Sequence, residues 1–126
     1  MQNTAFRFGP VALTNTLTTN ILNPGTTTGG VACTGAPWDK LYLVLKHIRI
    51  VNKTAGAVTF TLYLGATGAN AAGTEFIGTA QSVAANSSYD WYSPGTRINQ
   101  ADFLVGGASA STSLTIEGEG EIGVGA

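Results

Sequence analysis

Charged residues are scarce in this sequence. Only 10% of the 126 residues are Asp, Glu, Lys or Arg, against about 25% in an average soluble protein. A small protein that stands alone is kept soluble largely by surface charge. A chain with so little charge is typically covered by neighbouring subunits, or exposes Thr, Ser and Asn instead. The formal net charge is -1, so we expect no binding to nucleic acid or to an acidic membrane.

Cysteine and histidine each occur once, as Cys33 and His47. A single cysteine forms no internal disulfide and no cysteine-based metal site, so we expect Cys33 to be a small buried thiol. A Ser–His–Asp triad would require His47, yet no serine lies in a G-x-S-x-G turn. We therefore predict no enzymatic activity, no metal and no cofactor, and we expect His47 to lie on a sheet face or at a subunit contact.

Long apolar runs are also missing. No stretch approaches the roughly 20 apolar residues of a membrane-spanning helix. Residues 1–10 lack the basic start and the apolar run of a secretion signal. We therefore expect a protein that is made and used without crossing a membrane by the usual route. The hydrophobic fraction of 44% is sufficient for one packed core, and the length fits one domain.

The longest strand-forming segment is LYLVLKHIRIVN, residues 41–52, which contains no Gly or Pro. Side chains alternate across a strand, so the even-numbered face is apolar except for Lys46. The odd-numbered face is apolar until it reaches His47 and Arg49. This pattern predicts a central strand that is covered on both faces at its start and on one face later. After the polar loop NKTAG, residues 58–64 resume the alternation, which predicts an antiparallel hairpin.

Further strands are predicted on both sides of this hairpin. Residues 1–10, with Phe6 and Phe8 on one face, are expected to form an N-terminal arm or edge strand that ends at Gly9-Pro10. The Thr-rich residues 11–22 favour a strand over a helix. Shorter strands are predicted from residues 76, 89 and 103, and a long one over 113–124. Together these elements predict an all-β fold, an antiparallel β-sandwich or jelly roll, with residues 11–126 as a single domain.

The last predicted strand carries three glutamates on one face, about 7 Å apart along the chain. They could guard a sheet edge against aggregation. Alternatively, they could pair with basic residues of a neighbouring subunit, or bind a hard cation. The cation is disfavoured because alternate side chains of an extended strand diverge. The glutamates are Glu117, Glu119 and Glu121, and the candidate basic partners are Lys46, Arg49 and Arg97.

Aromatic residues cluster around Trp91. Exposed aromatic rings at strand ends can stack on sugars, so Trp38, Trp91 and Tyr92 form a candidate glycan platform. Large aromatic side chains more often fill the core, and that alternative is open for the same residues. Glycine within a strand usually marks the close approach of a large side chain. Gly118 and Gly120 are therefore expected to leave room for Trp91 or Tyr42.

The order of the predicted strands and turns resembles an arrangement seen in known proteins. A strand ends in Ile48-Arg49-Ile50-Val51-Asn52, and a short Thr/Gly/Ala turn leads to the partner strand at residues 58–64. The closing strand follows an Ala/Ser-rich turn within residues 108–122. Over roughly the last two thirds of the chain, this arrangement resembles small structural proteins of tailed-bacteriophage virions. The first forty residues match no pattern that we can name.

The resemblance implies a capsid decoration (cement) protein that binds the head surface and stabilises the shell, or a small tail component. Such proteins are found in the virion after synthesis in the host cytoplasm. They assemble as homo-oligomers, often trimers, on the major capsid protein or on tail proteins. A carbohydrate-binding module of a tail fibre is the competing function. The residues expected to make oligomer or capsid contacts are Phe6, Phe8, His47, Arg49, Arg97, Glu117, Glu119 and Glu121.

Overall fold

The computed structural model describes residues 4–24, 26, 28–31, 41–68, 70, 73–99 and 102–124. These residues form eight β-strands and no helix. The predictions for Cys33 and Trp38 lie outside the described residues. The strands are β1 (Thr4–Ala12), β2 (Asn20–Leu22), β3 (Leu41–Asn52), β4 (Val58–Gly65), β5 (Glu75–Val83), β6 (Ser87–Asn99), β7 (Phe103–Ala108) and β8 (Leu114–Val124).

The strands form two four-stranded antiparallel sheets that pack against each other. The first sheet has the order β1-β8-β3-β6, and the second has the order β2-β7-β4-β5. Every connection between successive strands crosses from one sheet to the other, except the link from β4 to β5. The predicted all-β sandwich is therefore confirmed. Of the two predicted alternatives, this order of eight strands is that of a jelly roll.

The predicted hairpin of β3 and β4 is wrong, because the two strands belong to different sheets. β3 lies between β6 and β8, and β4 lies between β5 and β7. The side chain of Asn52, at the end of β3, fixes the crossing and is only 1% exposed. Its amide donates to the carbonyls of Gly56, Val83 and Ala84, and its oxygen accepts from the amide and hydroxyl of Thr54. This network ties the turn and the end of β5 to the end of β3.

A bulge at Lys46 changes which residues of β3 face the core. Leu45 pairs with Gly120 of β8 and His47 pairs with the next residue, Glu119, so Lys46 is an extra residue in β3. An extra residue shifts the alternation by one. The strict two-residue alternation assumed from the sequence therefore fails after Lys46. The inward side chains, each 0% exposed, are Leu43 and Leu45 before the bulge and Ile48 and Ile50 after it.

Strand β1 pairs along the edge of the first sheet and continues past Gly9-Pro10, where the sequence predicted a break. That peptide bond is cis, and the pairing with β8 shifts between Phe8 and Val11. Residues 4–10 are thus part of an edge strand rather than a free arm. The segment 11–22 forms the end of β1, a loop over residues 13–19 and the short strand β2.

The glycines of β8 accommodate the phenylalanines of β1. Phe8 lies opposite Gly118, and Phe6 lies opposite Gly120. A Cβ atom at Gly118 would clash with the Phe8 ring, whose Cζ atom would lie only 2.9 Å away. A Cβ at Gly120 would lie 3.0 Å from the Phe6 ring. The predicted occupants, Trp91 and Tyr42, are therefore wrong, although the inference of a close aromatic contact is right.

The core between the sheets is a continuous cluster of aliphatic and phenylalanine side chains. Phe8, Leu13, Ile21, Phe60, Ile98 and Ile116 are among its buried members, and Trp91 and Tyr89 pack against it. On the outer side of the second sheet, residues 13–19 cross close to β7. A Cβ at Gly107 would lie 2.6 Å from the carbonyl oxygen of Thr16 and 2.7 Å from that of Thr14. The first sheet has the more open outer face.

Candidate functional site

The outer face of the first sheet carries most of the charge of the described chain, and we call it the charged face. The whole chain has six Lys or Arg and seven Asp or Glu residues, and seven of these lie there. They are Arg7 on β1, Glu117, Glu119 and Glu121 on β8, Arg49 on β3, and Asp90 and Arg97 on β6; His47 and Tyr92 lie among them. Much of the rest of the surface is made of Thr, Ser, Asn and Gly.

Strand register places opposite charges side by side across this face. One row runs from Arg7 through Glu119 to His47 and Tyr92. The next row runs from Glu117 through Arg49 to Asp90. Opposite charges on directly facing strand residues stabilise a sheet modestly. The alternation also leaves the face close to neutral, which does not suit a polyanion such as nucleic acid.

His47 lies at the centre of the charged face, between two carboxylates. Its Nε2 atom is 2.9 Å from Oδ1 of Asp90, and its Nδ1 atom is 3.3 Å from Oε1 of Glu119. A neutral imidazole donates one hydrogen bond and an imidazolium donates two, so only the charged form serves both carboxylates as a donor. Arg49 also donates to Oδ1 of Asp90, over 2.8 Å.

Tyr92 is the most exposed large hydrophobic side chain of the described residues, at 73%. Its ring stacks on the imidazole of His47 at a centroid distance of 4.7 Å and an interplanar angle of 18°. The stack supports one face of the tyrosine ring and leaves the other open. On the other side of His47, toward β8 and β1, is a shallow groove of about 310 Å³, lined by Arg7, His47, Arg49, Glu117, Gly118 and Glu119.

The far end of the charged face is held by a second aromatic contact. The guanidinium of Arg97 lies 3.9 Å from the ring centre of Tyr42, and its Nε donates to Asn99 over 2.7 Å. Tyr42 in turn covers Gly123, where a Cβ would lie 2.5 Å from the tyrosine Cζ. A cation above an aromatic face is attracted by the ring quadrupole, so this contact and the hydrogen bond to Asn99 both favour the observed position of Arg97.

The structure brings six of the eight predicted contact residues together on the charged face: His47, Arg49, Arg97, Glu117, Glu119 and Glu121. The other two lie elsewhere. Phe8 is 0% exposed and Phe6 packs against the core, so Phe8 cannot contact a neighbour in this conformation. Sequence reasoning missed Arg7 and the central role of Asp90. The signal for both was alternation: each is a polar residue between aromatic residues, in β1 and in β6, and must therefore face the opposite side of the sheet from them.

The glutamates of β8 do not guard a sheet edge, because β8 lies between β1 and β3. Glu117 forms an ion pair with Arg7, and Glu119 faces His47. These pairs lie within one chain, an arrangement that the sequence reasoning did not consider. Within the described ranges, no group of three or more His, Cys, Asp or Glu side chains could hold a metal ion.

The candidate glycan platform is divided between two faces of the sheet. Trp91 pairs with Ile48 and points inward, where its ring meets Phe76 edge-on at 5.5 Å. Tyr92 pairs with His47 and points outward. Trp38 lies outside the described residues. Of the three proposed platform residues, Tyr92 is the one that the structure places in an accessible position.

His47 is poorly placed to act as a general base. A histidine in that role needs a ring nitrogen that is free to accept a proton from the reacting group. Both nitrogens of His47 lie within hydrogen-bonding distance of carboxylates, of Asp90 and Glu119. The part of the chain that is described contains no helix long and apolar enough to span a membrane.

We expect the network around Asp90 to stabilise the fold at neutral pH and to fail in acid. The hydrogen bond from Arg49, and then that from His47, hold the pKa of Asp90 below its ordinary value of 3.8. A carboxyl group with a lowered pKa in the folded state stabilises the protein above its unfolded-state pKa. That contribution is lost as the pH falls through the lower, folded-state pKa.

Asp90→Asn should therefore lower the unfolding free energy at pH 5–7 by a small amount, as is usual for partly exposed ion pairs. The difference from wild type should shrink as the pH falls below about 4. Urea unfolding at pH 7, 5, 4 and 3 measures it. In a second variant, Arg49→Gln, the pKa of the Asp90 carboxyl, measured by NMR titration, should rise back toward its ordinary value. A difference that stays constant down to pH 2.5 would show that Asp90 acts through packing instead.

Comparison of this chain with protein-family models, with curated proteins and with solved structures finds no match. Any function of this chain is therefore inferred from its fold and from the geometry of the charged face.

Proposed function

We propose that this chain is a non-enzymatic structural protein of a bacteriophage virion, and specifically a capsid decoration (cement) protein that binds the head surface. The observation that carries the proposal is the concentration of charge, with an exposed tyrosine, on one open sheet face of a chain that is otherwise poor in charge. Such a face suits a broad macromolecular contact better than it suits the enclosed conversion of a small substrate.

The composition of the charged face fits recognition of another protein. Tyrosine and arginine are enriched among the residues that contribute most to protein–protein binding, and Tyr92, Arg7 and Arg49 all lie on this face. Paired charges set the orientation of a partner and reject wrong partners more than they add affinity. Jelly rolls recur in viral capsid and lectin domains, which is an analogy of fold that supports the proposal without carrying it.

A decoration protein acts by burying surface across neighbouring shell subunits. A standard protein interface buries on the order of 1,600 Å² in total, and a shell repeats each contact many times. The expected partners are the major capsid protein and further copies of this chain, with a trimer favoured by the resemblance. The expected location is the assembled virion, after synthesis in the host cytoplasm.

The proposal predicts that the purified chain binds empty, expanded heads of the phage that encodes it. Co-sedimentation with these heads measures the affinity. Arg49→Glu reverses a charge at the centre of the charged face and should weaken binding by about tenfold or more, since like charges brought together cost several kcal/mol. Lys53→Glu makes the same change in the β3–β4 turn and should leave binding unchanged.

Two results would count against the decoration role. The first is a folded wild-type chain that does not sediment with the heads. The second is equal weakening by Arg49→Glu and Lys53→Glu, because binding would then depend on overall charge and not on the charged face. Circular dichroism of both variants, recorded beforehand, separates lost binding from lost folding.

A second function, a tail or tail-fibre component that binds host carbohydrate, is favoured by one observation. Tyr92 is highly exposed, and His47, on which its ring stacks, also lines a groove with Arg and Glu side chains. Sugars bind to exposed aromatic rings by stacking and to such polar groups by hydrogen bonding. Retention of the chain on host surface polysaccharide that Tyr92→Ala abolishes would support this function. Absence of retention would leave the decoration role as the better proposal.

A further inference from the structure

The two sheets present four edge strands: β1 and β6 in the first sheet, and β2 and β5 in the second. An edge strand exposes unpaired backbone N–H and C=O groups that can pair with another chain. Natural proteins therefore blunt their edges with proline, bulges, very short strands or irregular backbone. The four edges of this protein differ in how far they are blunted.

Three edges carry such a device. In β1, Gly9-Pro10 interrupts the pairing with β8. β2 is three residues long. In β5, the pairing with β4 is irregular: Phe60 lies opposite Gln81, but Leu62 lies opposite Phe76. Between these pairs, Ile77 and Ala80 of β5 have positive φ angles of 78° and 50°. These devices leave no regular edge longer than three residues in β2 or β5, and in β1 the regular edge ends at Phe8.

The first half of β6, residues 87–92, has none of these devices. It pairs in regular register with β3, from Ser87 opposite Asn52 to Tyr92 opposite His47. It contains no Pro or Gly and no positive φ angle. Its one charged residue, Asp90, forms an ion pair with Arg49 and a hydrogen bond with His47. Among the described residues, the backbone bonds outside the strand ladders do not involve residues 87–92. The second half of β6 is interrupted at residues 93–95, where the register shifts.

We propose that residues 87–91 pair, antiparallel and about a two-fold axis, with the same segment of a second copy of this chain. The two first sheets would then form one continuous eight-stranded sheet. The occupant is a second copy because the segment is complementary to itself: one two-fold register brings its own serine hydroxyl, of Ser88, against its own carboxylate, of Asp90. An interface built from the same patch on both subunits has two-fold symmetry. The contact does not depend on the virion role proposed above.

The register of this pairing is determined by charge and by the side of the sheet to which each side chain points. A two-fold axis perpendicular to the sheet keeps the inner faces together, so directly opposed residues must point to the same side. The two-fold axis must then lie beside one residue, which is paired with its own copy, and not between two successive residues. An axis placed in this way is said to pass through that residue. An axis through Asp90 would oppose two like charges, which is unfavourable. An axis through Trp91 would place Ser88 opposite Pro94 of the second copy, which cannot donate to the ladder.

An axis through Tyr89 avoids both problems. It places Ser88 opposite Asp90 of the second copy, twice by symmetry. Both hydrogen bonds that the described residues give to Asp90 end on its Oδ1 atom, so the Oδ2 atom can accept a bond from the serine hydroxyl. The pairing would therefore join two backbone edges and add two side-chain hydrogen bonds to carboxylates.

Sedimentation equilibrium tests this contact. We expect wild type to show twice the monomer mass of 12.9 kDa, or six times that mass if a separate three-fold contact also forms. Ser88→Glu, which would face Asp90 of the second copy, should raise the dimer dissociation constant by about tenfold or more. Ser88→Lys should leave the constant unchanged or lower it. Ser82→Glu makes the same change on the blunted edge of β5 and should have no effect.

Hydrogen exchange gives a second readout. Those amides of residues 87–91 that point away from β3 should become better protected as the protein concentration rises, while those of β1 should not. A wild-type chain that is monomeric at about 1 mM, a mass of three subunits alone, or equal effects of Ser88→Glu and Ser88→Lys would each overturn the proposed pairing. Failure here would leave the binding to heads unaffected, because that test depends on the charged face.

Discussion

Replacing Gly120 with alanine is expected to destabilise the fold by about 3 kcal/mol, at the upper end for an overpacked core position. A Cβ atom at this position would clash with the carbonyl oxygen of Val44 in the neighbouring strand and would press on the Phe6 ring. A side-chain contact can relax by rotation. A contact with the backbone of a central strand relaxes only if β3 and β8 move apart, which breaks the ladder between them.

Gly56→Ala is the matched control for this change. Gly56 lies in the β3–β4 turn, and a Cβ there would meet nothing within 4 Å. Urea unfolding monitored by circular dichroism should give a stability within about 0.5 kcal/mol of wild type for this variant. Equal stability of Gly120→Ala and Gly56→Ala would show that β8 does not approach β3 as closely as described.

Asn52→Ala is expected to cost a similar amount, about 3 kcal/mol, for a different reason. The side chain is buried and donates to three carbonyl groups, of Gly56, Val83 and Ala84. Removing it takes one donor from each of these carbonyls, of which that of Gly56 keeps the Thr54 hydroxyl, and it takes the acceptor of the Thr54 amide. Each buried group left unsatisfied costs roughly 1–3 kcal/mol. Water that enters the vacated space would recover part of the loss.

The change should also loosen the crossing between the sheets. We expect faster hydrogen exchange at residues 53–57 and at the end of β5, measured together with thermal unfolding. Asn15→Ala, at an exposed loop position, should shift the stability by less than about 0.5 kcal/mol. If both variants unfold alike, the Asn52 network contributes nothing beyond the turn itself.

The strands themselves could be predicted from the sequence because alternation and β-branching report local preference. The segment 41–52 was recognisable as a central strand, and the closing strand had the correct inner and outer faces. The bulge at Lys46 could not be predicted, since one inserted residue leaves no trace in composition. Its only sign was that the odd-numbered face of β3 turned polar at His47, which strict alternation could not explain.

The partner of each strand was harder to predict than the strand. A short polar loop after β3 is compatible with a hairpin and with a crossing between sheets, and the choice depends on Asn52 and its partners near residue 83. The fit of Phe8 against Gly118 joins residues 110 positions apart in the sequence. The charged face was partly recognisable, because Glu117, Glu119 and Glu121 share one face by alternation alone. Its completion by Asp90 and Arg7 depends on pairings between distant strands.

The position of β8 between β1 and β3 has a consequence for how the chain acquires its structure. β1 and β3 leave the ribosome early, but the strand that joins them is synthesised more than sixty residues after β3 ends. The first sheet therefore cannot be completed during most of translation, and apolar side chains on its inner face stay uncovered during that time. Contacts so distant along the chain carry a high loop-closure entropy and slow folding. The scarcity of charge makes that waiting period the stage at which the nascent protein is most exposed to aggregation.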